Sequence, residues 1–119
     1  MLPERDIGYR VDIETALRKA QTYAAGQTWE DLLSNELLQH TLIRMLTIIG
    51  EAATKLSKEA KQTVTGVSWE DVTGMRHRLV HEYFRVNLAV VWETVRHDLP
   101  DLLAAIQPFI PAQHEPSNG

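Results

Sequence analysis

The segment from Gly74 to Asn87 holds the side chains that could do chemistry on a phosphate. Its sequence is GMRHRLVHEYFRVN, and its only acid is Glu82. Its cationic and titratable side chains are Arg76, His77, Arg78, His81 and Arg85. Arginine keeps its charge at any working pH and matches phosphate oxygens, while histidine exchanges a proton near neutrality. Cleavage of an RNA phosphodiester needs a base, an acid and a cation, so the segment predicts an Arg–His site for RNA phosphate.

The spacing of Arg76 and His81 restricts how such a site can be built. The two residues are five positions apart, which places them about 140° apart around a regular helix. A distorted helix end or a second copy of the chain is needed to bring them together. A twofold interface would set the same segment of two subunits face to face, giving one cleft two arginines and two histidines. We therefore expect a homodimer.

His77 and His81 leave a different chemistry open, because they are four residues apart and share one face of a helix. That spacing suits two ligands of a metal ion, which would need a third and a fourth ligand. Glu51 or Glu82 could be nominated, but nothing in the sequence points to either. A His-based metal site is the weaker alternative, and we predict no metal and no cofactor.

The composition is typical of one soluble domain, and the net charge produces no electrostatic field that would attract nucleic acid. Apolar residues make up 44% of the 119 residues and charged residues 24%, and 12 basic against 16 acidic side chains give a net charge of −4. Any RNA contact must therefore come from a local patch. There is no cysteine, and we find no signal-peptide pattern and no apolar run of the roughly 20 residues that span a bilayer. These features predict a cytoplasmic protein.

Apolar residues recur every three to four positions along the chain, which predicts helices and no strands. The main helices are predicted at about 9–25, 37–56, 69–82 and 88–106, with a short turn at 29–33 and a short helix or loop at 58–64. The fold class is an all-α, antiparallel, up-and-down four-helix bundle with short additional helical turns. We expect one helical domain over residues 1–110 and a disordered tail over 111–119.

Capping residues support these boundaries. Thr28 with Asp31, Ser68 and Asn87 are predicted N-caps, and Gly26 a C-terminal cap. Pro100 interrupts the last helix, which must either kink or restart with this proline in its first turn.

The aromatic residues Trp29, Trp69 and Trp92 are predicted core or interface anchors.

Four stretches of the chain resemble one family in order and spacing. The run of Arg76, four residues, His81, one residue and Tyr83 is similar to the signature of HEPN-domain toxins of the HepT type. The accompanying stretches are IIGEAATKLS in the central helix, SWEDVTGMR before the signature, HEYFRVN at its end and VWETVRHDLPDL in the last helix. The resemblance extends from about Ile7 to Ile110.

The resemblance implies an HEPN-like, dimeric, metal-independent endoribonuclease, the toxin of a toxin–antitoxin system. It implies Arg76 and His81 as the catalytic pair. It also implies that Tyr83 can be adenylylated by the partner antitoxin, a minimal nucleotidyltransferase, which would silence the toxin. Arg78 and Arg85 are expected to position phosphate.

His77 departs from the family pattern, in which the residue after the arginine is commonly Asn. An imidazole could replace the amide as a hydrogen-bond donor or alter proton transfer. The alternative is a non-catalytic module that keeps the fold and uses the same basic segment to bind a nucleotide or RNA without cleaving it.

Overall fold

The computed structural model describes residues 4–75, 79 and 86–109. Within these residues every regular element is helical, as the fold class predicted. The elements are α1 (Glu4–Ala24), α2 (Trp29–Ser34), α3 (Glu36–Lys55), α4 (Lys58–Thr63), α5 (Trp69–Thr73), α6 (Leu88–Glu93), a π-helical turn (Thr94–Asp98), α7 (Leu99–Ile106) and a 3-10 turn (Gln107–Phe109). The predicted tail over 111–119 lies outside the described residues.

The long helices α1 and α3 form the centre of the bundle. They pack along each other and run antiparallel, since Asp6 near the start of α1 bonds to Ser57 just beyond the end of α3. Helix α7 and the π-helical turn pack on α1, while α5 and α6 pack on α3. The core includes the fully buried side chains Ile13, Leu17, Leu42, Leu46, Ile49, Leu99 and Ile106.

Three of the predicted caps are confirmed. Thr28 accepts a bond from the Asp31 amide at 3.1 Å while the Asp31 carboxylate accepts one from the Thr28 amide at 2.9 Å, a complete capping box. The Asn87 side chain accepts from two amides at the start of α6. Gly26 follows α1 with a φ of +74°, a conformation that glycine adopts without strain.

Other boundaries differ from the predictions. Helix α1 begins at Glu4, more than one turn earlier than predicted. Ser68 stands at the N-cap of α5, as predicted, but its hydroxyl makes no capping hydrogen bond. The 58–64 segment, predicted as a short helix or loop, is the helix α4 over Lys58–Thr63.

The predicted third helix, to about residue 82, is only partly described. Helix α5 ends at Thr73 and has Gly74 at its C-cap, and residues 75 and 79 are again helical.

The last predicted helix restarts near Pro100, which is the second of the two outcomes, a kink or a restart, that the sequence predicted. Pro100 lies in the first turn of α7, directly after the π-helical turn. Trp29, Trp69 and Trp92 are half-buried against the core, as predicted, and the Trp69 indole donates to the Val64 carbonyl at 3.2 Å.

No helix in the described ranges is long and apolar enough to cross a membrane.

Candidate active site

The residues predicted to do chemistry all lie outside the described part of the chain. They are Arg76, His77, Arg78, His81, Tyr83 and Arg85. Their roles therefore stay predictions. The structure describes the residues that precede and follow them in the chain.

Four described residues border the predicted catalytic segment or lie within it. Met75, which precedes Arg76 in the chain, is 3% exposed, and Leu79 is fully buried. On the other side of the segment, Val86 is half-buried against the core and Asn87 caps α6. The described residues that border the segment are thus a buried core residue on one side and the N-cap of α6 on the other.

A cavity of about 250 Å³ lies beside the start of the segment. Its apolar wall is formed by Val67, Val72, Met75, Leu99 and Leu102, and its carboxylates by Asp71, Asp98 and Asp101. These three carboxylates repel phosphate, so the described lining of the cavity does not favour an RNA strand. In the described ranges there is also no group of three His, Cys, Asp or Glu side chains that could hold a metal ion.

A row of buried charges on α1 was missed by the sequence predictions. Asp6 and Arg10 are fully buried and Glu14 is 2% exposed. The three residues are four positions apart and lie along one side of the helix. Buried charges are rare unless hydrogen-bonded or paired, so their partners must be found.

Asp6 is bonded to the corner between α3 and α4. Its carboxylate accepts from the Ser57 amide at 2.9 Å and from the Ser57 hydroxyl at 2.8 Å. Burial alone would raise the pKa of Asp6, but these two hydrogen bonds and the charges of Arg5 and Arg10 outweigh burial and hold the pKa below its ordinary value. Asp6 is therefore a buried, ionised tether between α1 and α4.

Arg10 and Glu14 are only partly satisfied. The Arg10 Nη2 donates to the Ala60 carbonyl at 3.4 Å, and its guanidinium stands 5.0 Å from the centre of the Phe109 ring. Burial lowers the pKa of Arg10, and the charge of Asp6 acts in the opposite sense. Glu14 accepts from Arg18 Nε at 2.7 Å. Among the described residues, Arg10 Nε, Arg10 Nη1 and Glu14 Oε2 are buried without a hydrogen-bond partner.

The helical period carried a signal for this row. The buried apolar residues Ile13, Leu17, Ala20 and Ala24 of α1 recur every three to four positions, and the same spacing continues backwards to Arg10 and Asp6. A charge on that continuation either ends the buried stripe or is buried with partners. The sequence predictions did not consider this continuation, and the structure shows that both charges are buried with partners.

Two of the other histidines make exposed contacts with an acid one turn earlier. His40 Nε2 lies 3.4 Å from Glu36, and His97 Nε2 lies 3.6 Å from Glu93. Both side chains are mostly solvent-exposed, so their ordinary role is a weak surface pair.

The chain matches a protein family described as "HepT-like: Ribonuclease HepT-like" over residues 13–109. The match contains the predicted catalytic residues Arg76 and His81 and the predicted switch residue Tyr83.

Individual relatives carry ribonuclease names. The chain is 34% identical over 94 residues to "Probable ribonuclease HepT" of Thermococcus cleftensis, covering 79% of this chain and 86% of that protein. It is 40% identical over 77 residues to a "Putative RNase" of Caldanaerobacter subterraneus subsp. tengcongensis, covering 65% and 69%. A "Putative RNase" of Methanocaldococcus jannaschii is 28% identical over 110 residues, covering 92% and 95%. No solved structure matches the chain significantly.

Proposed function

The chain belongs to the HepT-like ribonuclease family, and from that premise we propose that it cleaves RNA with Arg76 and His81 as its catalytic pair. The observation that carries the proposal is the family match over residues 13–109, which encloses the one Arg–His cluster of the sequence. The burial of Met75, which precedes Arg76 in the chain, and of Leu79 supports it, because both residues belong to the core.

The proposed reaction is an internal transfer at phosphorus. The RNA 2′-oxygen attacks the adjacent phosphorus as its proton passes to a neutral histidine, and the bond from phosphorus to the 5′-oxygen breaks. A protonated histidine gives its proton to the leaving 5′-oxygen, so one product ends in a 2′,3′-cyclic phosphate and the other in a 5′-hydroxyl. Arg76 stabilises the charge that builds on the phosphate oxygens.

A homodimer accommodates both proton transfers. One His81 can act as the base and the other His81 as the acid when two copies of the segment face each other. This arrangement also removes the difficulty that Arg76 and His81 are about 140° apart on a regular helix. His77, Arg78 and Arg85 would then bind and position phosphate around the cleft.

Cleavage is expected to continue in excess EDTA, because histidine and arginine replace a metal ion in this mechanism. The measurement is gel analysis of labelled RNA incubated with the protein, with and without EDTA, together with a test for the cyclic phosphate end. Loss of cleavage in EDTA, restored by a divalent ion, would favour the His77–His81 metal site. Binding of RNA without any cleavage would favour the non-catalytic module.

We further propose that the chain is the toxin of a toxin–antitoxin pair that acts in the cytoplasm, and that a minimal nucleotidyltransferase silences it by adenylylating Tyr83. An AMP group on this tyrosine adds a negative charge and bulk two residues from His81. It would block the cleft and compete with RNA phosphate for the cations there.

The Tyr83→Phe variant is expected to remain toxic and to escape modification. Wild-type protein incubated with ATP and the partner nucleotidyltransferase should gain the mass of AMP, whereas Tyr83→Phe should gain none. Tyr23→Phe is the matched control, since Tyr23 is 43% exposed on α1 and offers a competing hydroxyl. Addition of AMP to Tyr83→Phe, or its loss in Tyr23→Phe, would refute the assignment.

A further inference from the structure

The last described residues of the chain lie against a buried cation of α1. The 3-10 turn, Gln107–Phe109, follows α7, and the centre of the Phe109 ring is 5.0 Å from the guanidinium carbon of Arg10. Arg10 is fully buried, whereas Phe109 is 37% exposed. The ring thus meets the guanidinium on one side and solvent on another, so it forms part of the cover that keeps water from Arg10.

The contacts of Arg10 are few for a buried guanidinium, which carries five N–H donors. Its Nη2 donates to the Ala60 carbonyl at 3.4 Å, a long hydrogen bond, and its Nε and Nη1 have no partner among the described residues. The charge of Asp6 favours the charged form of Arg10, but both Asp6 oxygens are bonded to Ser57. Buried donors without partners cost free energy that they would recover in water.

The attraction between the Phe109 ring and Arg10 does not offset this cost. A cation–π contact contributes at most about as much as one unsatisfied buried donor costs, and Arg10 has two such donors. The closed turn is favoured by the partial burial of the Phe109 ring and opposed by the unsatisfied donors beneath it. Exposure of Arg10 to water would remove the opposing cost.

We propose that the turn Gln107–Phe109, which we name the Phe109 latch, opens locally and admits water to Arg10 while the helices stay folded. Opening hydrates the Nε and Nη1 groups of Arg10, and the core contacts between α1 and α3 are kept. Pro108, in the middle of the latch, has no amide proton, so one backbone hydrogen bond fewer can hold the latch closed. This inference does not depend on the proposed function.

The effect of replacing Arg10 distinguishes this latch from a simple clamp. If Arg10 held the turn closed through its contact with Phe109, replacing Arg10 by Met would loosen the turn. If the unsatisfied donors of Arg10 favour opening, the same replacement tightens it. Methionine is long and flexible enough to fill most of the space of the arginine and brings no N–H donor, and apolar residues often replace buried charges without loss of stability.

The test is native-state amide hydrogen exchange, followed by NMR on the full chain. The Gln107 amide, which donates to the Leu103 carbonyl, reports on the latch, and the amide of fully buried Leu17 reports on the core. In the wild type, Gln107 is expected to exchange at least about a hundredfold faster than Leu17, after correction for intrinsic rates. Low urea should speed exchange at Leu17 and leave Gln107 nearly unchanged, because local opening exposes little surface.

The Arg10→Met variant is expected to slow exchange at Gln107 about tenfold, because the closed latch no longer covers unsatisfied donors. Lys19→Met is the matched control, since it makes the same change at an exposed cation of α1, and it should leave Gln107 unchanged. In Phe109→Ala the ring that covers Arg10 is gone. Adding Arg10→Met to that variant should therefore change exchange at Gln107 by less than about twofold.

Three results would overturn the proposal. Unchanged or faster exchange at Gln107 in Arg10→Met would make Arg10 a clamp. Equal urea dependence at Gln107 and Leu17 in the wild type would mean that the turn opens only when the whole protein unfolds, and this measurement decides even if Arg10→Met does not fold. A crystal structure with the turn closed and ordered waters bonded to Nε and Nη1 of Arg10 would remove the cost that favours opening.

Discussion

The His81→Ala variant is expected to cleave RNA at least about a thousandfold more slowly than wild type, since proton transfer by a placed side chain contributes about 10² to 10⁴ in rate. In the proposed dimer both copies of the histidine are lost at once, so base and acid disappear together. The measurement is the initial rate of cleavage of labelled RNA, with growth inhibition in cells as a second readout. Binding of a single-stranded RNA whose 2′-hydroxyls are methylated, and which therefore cannot be cleaved, should change little.

Arg76→Ala is expected to be similarly inactive, while Arg76→Lys should retain a small fraction of activity. Lysine keeps the charge but not the planar fork that binds two phosphate oxygens at once. The control is His97→Ala, which removes an exposed histidine that contacts only Glu93 in the described structure. It should cleave like wild type. Wild-type rates for His81→Ala and Arg76→Ala would place the active site elsewhere in the chain.

Mixing the two inactive variants tests whether the site is shared between subunits. A heterodimer of Arg76→Ala and His81→Ala keeps one arginine and one histidine in a common cleft. Because one histidine is left for only one of the two proton transfers, the heterodimer should recover a small part of the wild-type rate, whereas neither homodimer should. No recovery after subunit exchange, confirmed by mass spectrometry of the mixed dimer, would contradict a composite site.

The helical architecture was predictable because its signals are local. Thr28 and Asp31 lie three residues apart, as a capping box requires, and the structure forms both of its bonds. Asn87 caps the start of α6 and Gly26 follows the end of α1 with a positive φ, as their residue types predicted. Each of these features depends on a few neighbouring residues, so tertiary contacts had little opportunity to override them.

The π-helical turn before α7 could not be predicted, although its cause is visible. Pro100 has no amide proton to donate to the carbonyl four residues earlier, that of Arg96, and its ring crowds that carbonyl. The Thr94 hydroxyl also bonds to the Val90 carbonyl at 2.7 Å. A wider turn relieves such crowding, but a kink would relieve it too. The sequence therefore left both outcomes open.

The surroundings of the candidate site depend on contacts that no local pattern contains. The wall of the acidic cavity combines residues near Val67 with residues near Leu99, about 30 positions later in the chain. Residue types indicated the chemistry of Arg76 and His81, and the resemblance supplied their roles. The positions of the charges around the candidate site could be found only from the folded structure.

The Asp6→Ala variant is expected to lose about 3 kcal/mol of unfolding free energy at neutral pH. The carboxylate makes two hydrogen bonds to Ser57, and a bond to a charged group contributes about 1.5 to 3 kcal/mol. Its removal also takes away the negative charge that favours buried Arg10. Asp12→Ala, an exposed acid on the same helix, should change stability by about 0.5 kcal/mol or less. Urea denaturation of the three proteins measures both differences.

The pH dependence of the unfolding free energy shows whether Asp6 stabilises the protein by its charge or by its packing. Because its pKa is lower in the folded protein than the value near 3.9 of an unfolded chain, the folded state binds the proton less readily. The stabilisation from ionised Asp6 is therefore fully present above about pH 4 and declines as the pH falls through the folded pKa. In urea denaturation measured from pH 5 down to pH 3, the difference in unfolding free energy between wild type and Asp6→Ala should begin to shrink below about pH 4. A constant difference in unfolding free energy over this range would mean that Asp6 stabilises the corner between α3 and α4 by its packing and not by its charge.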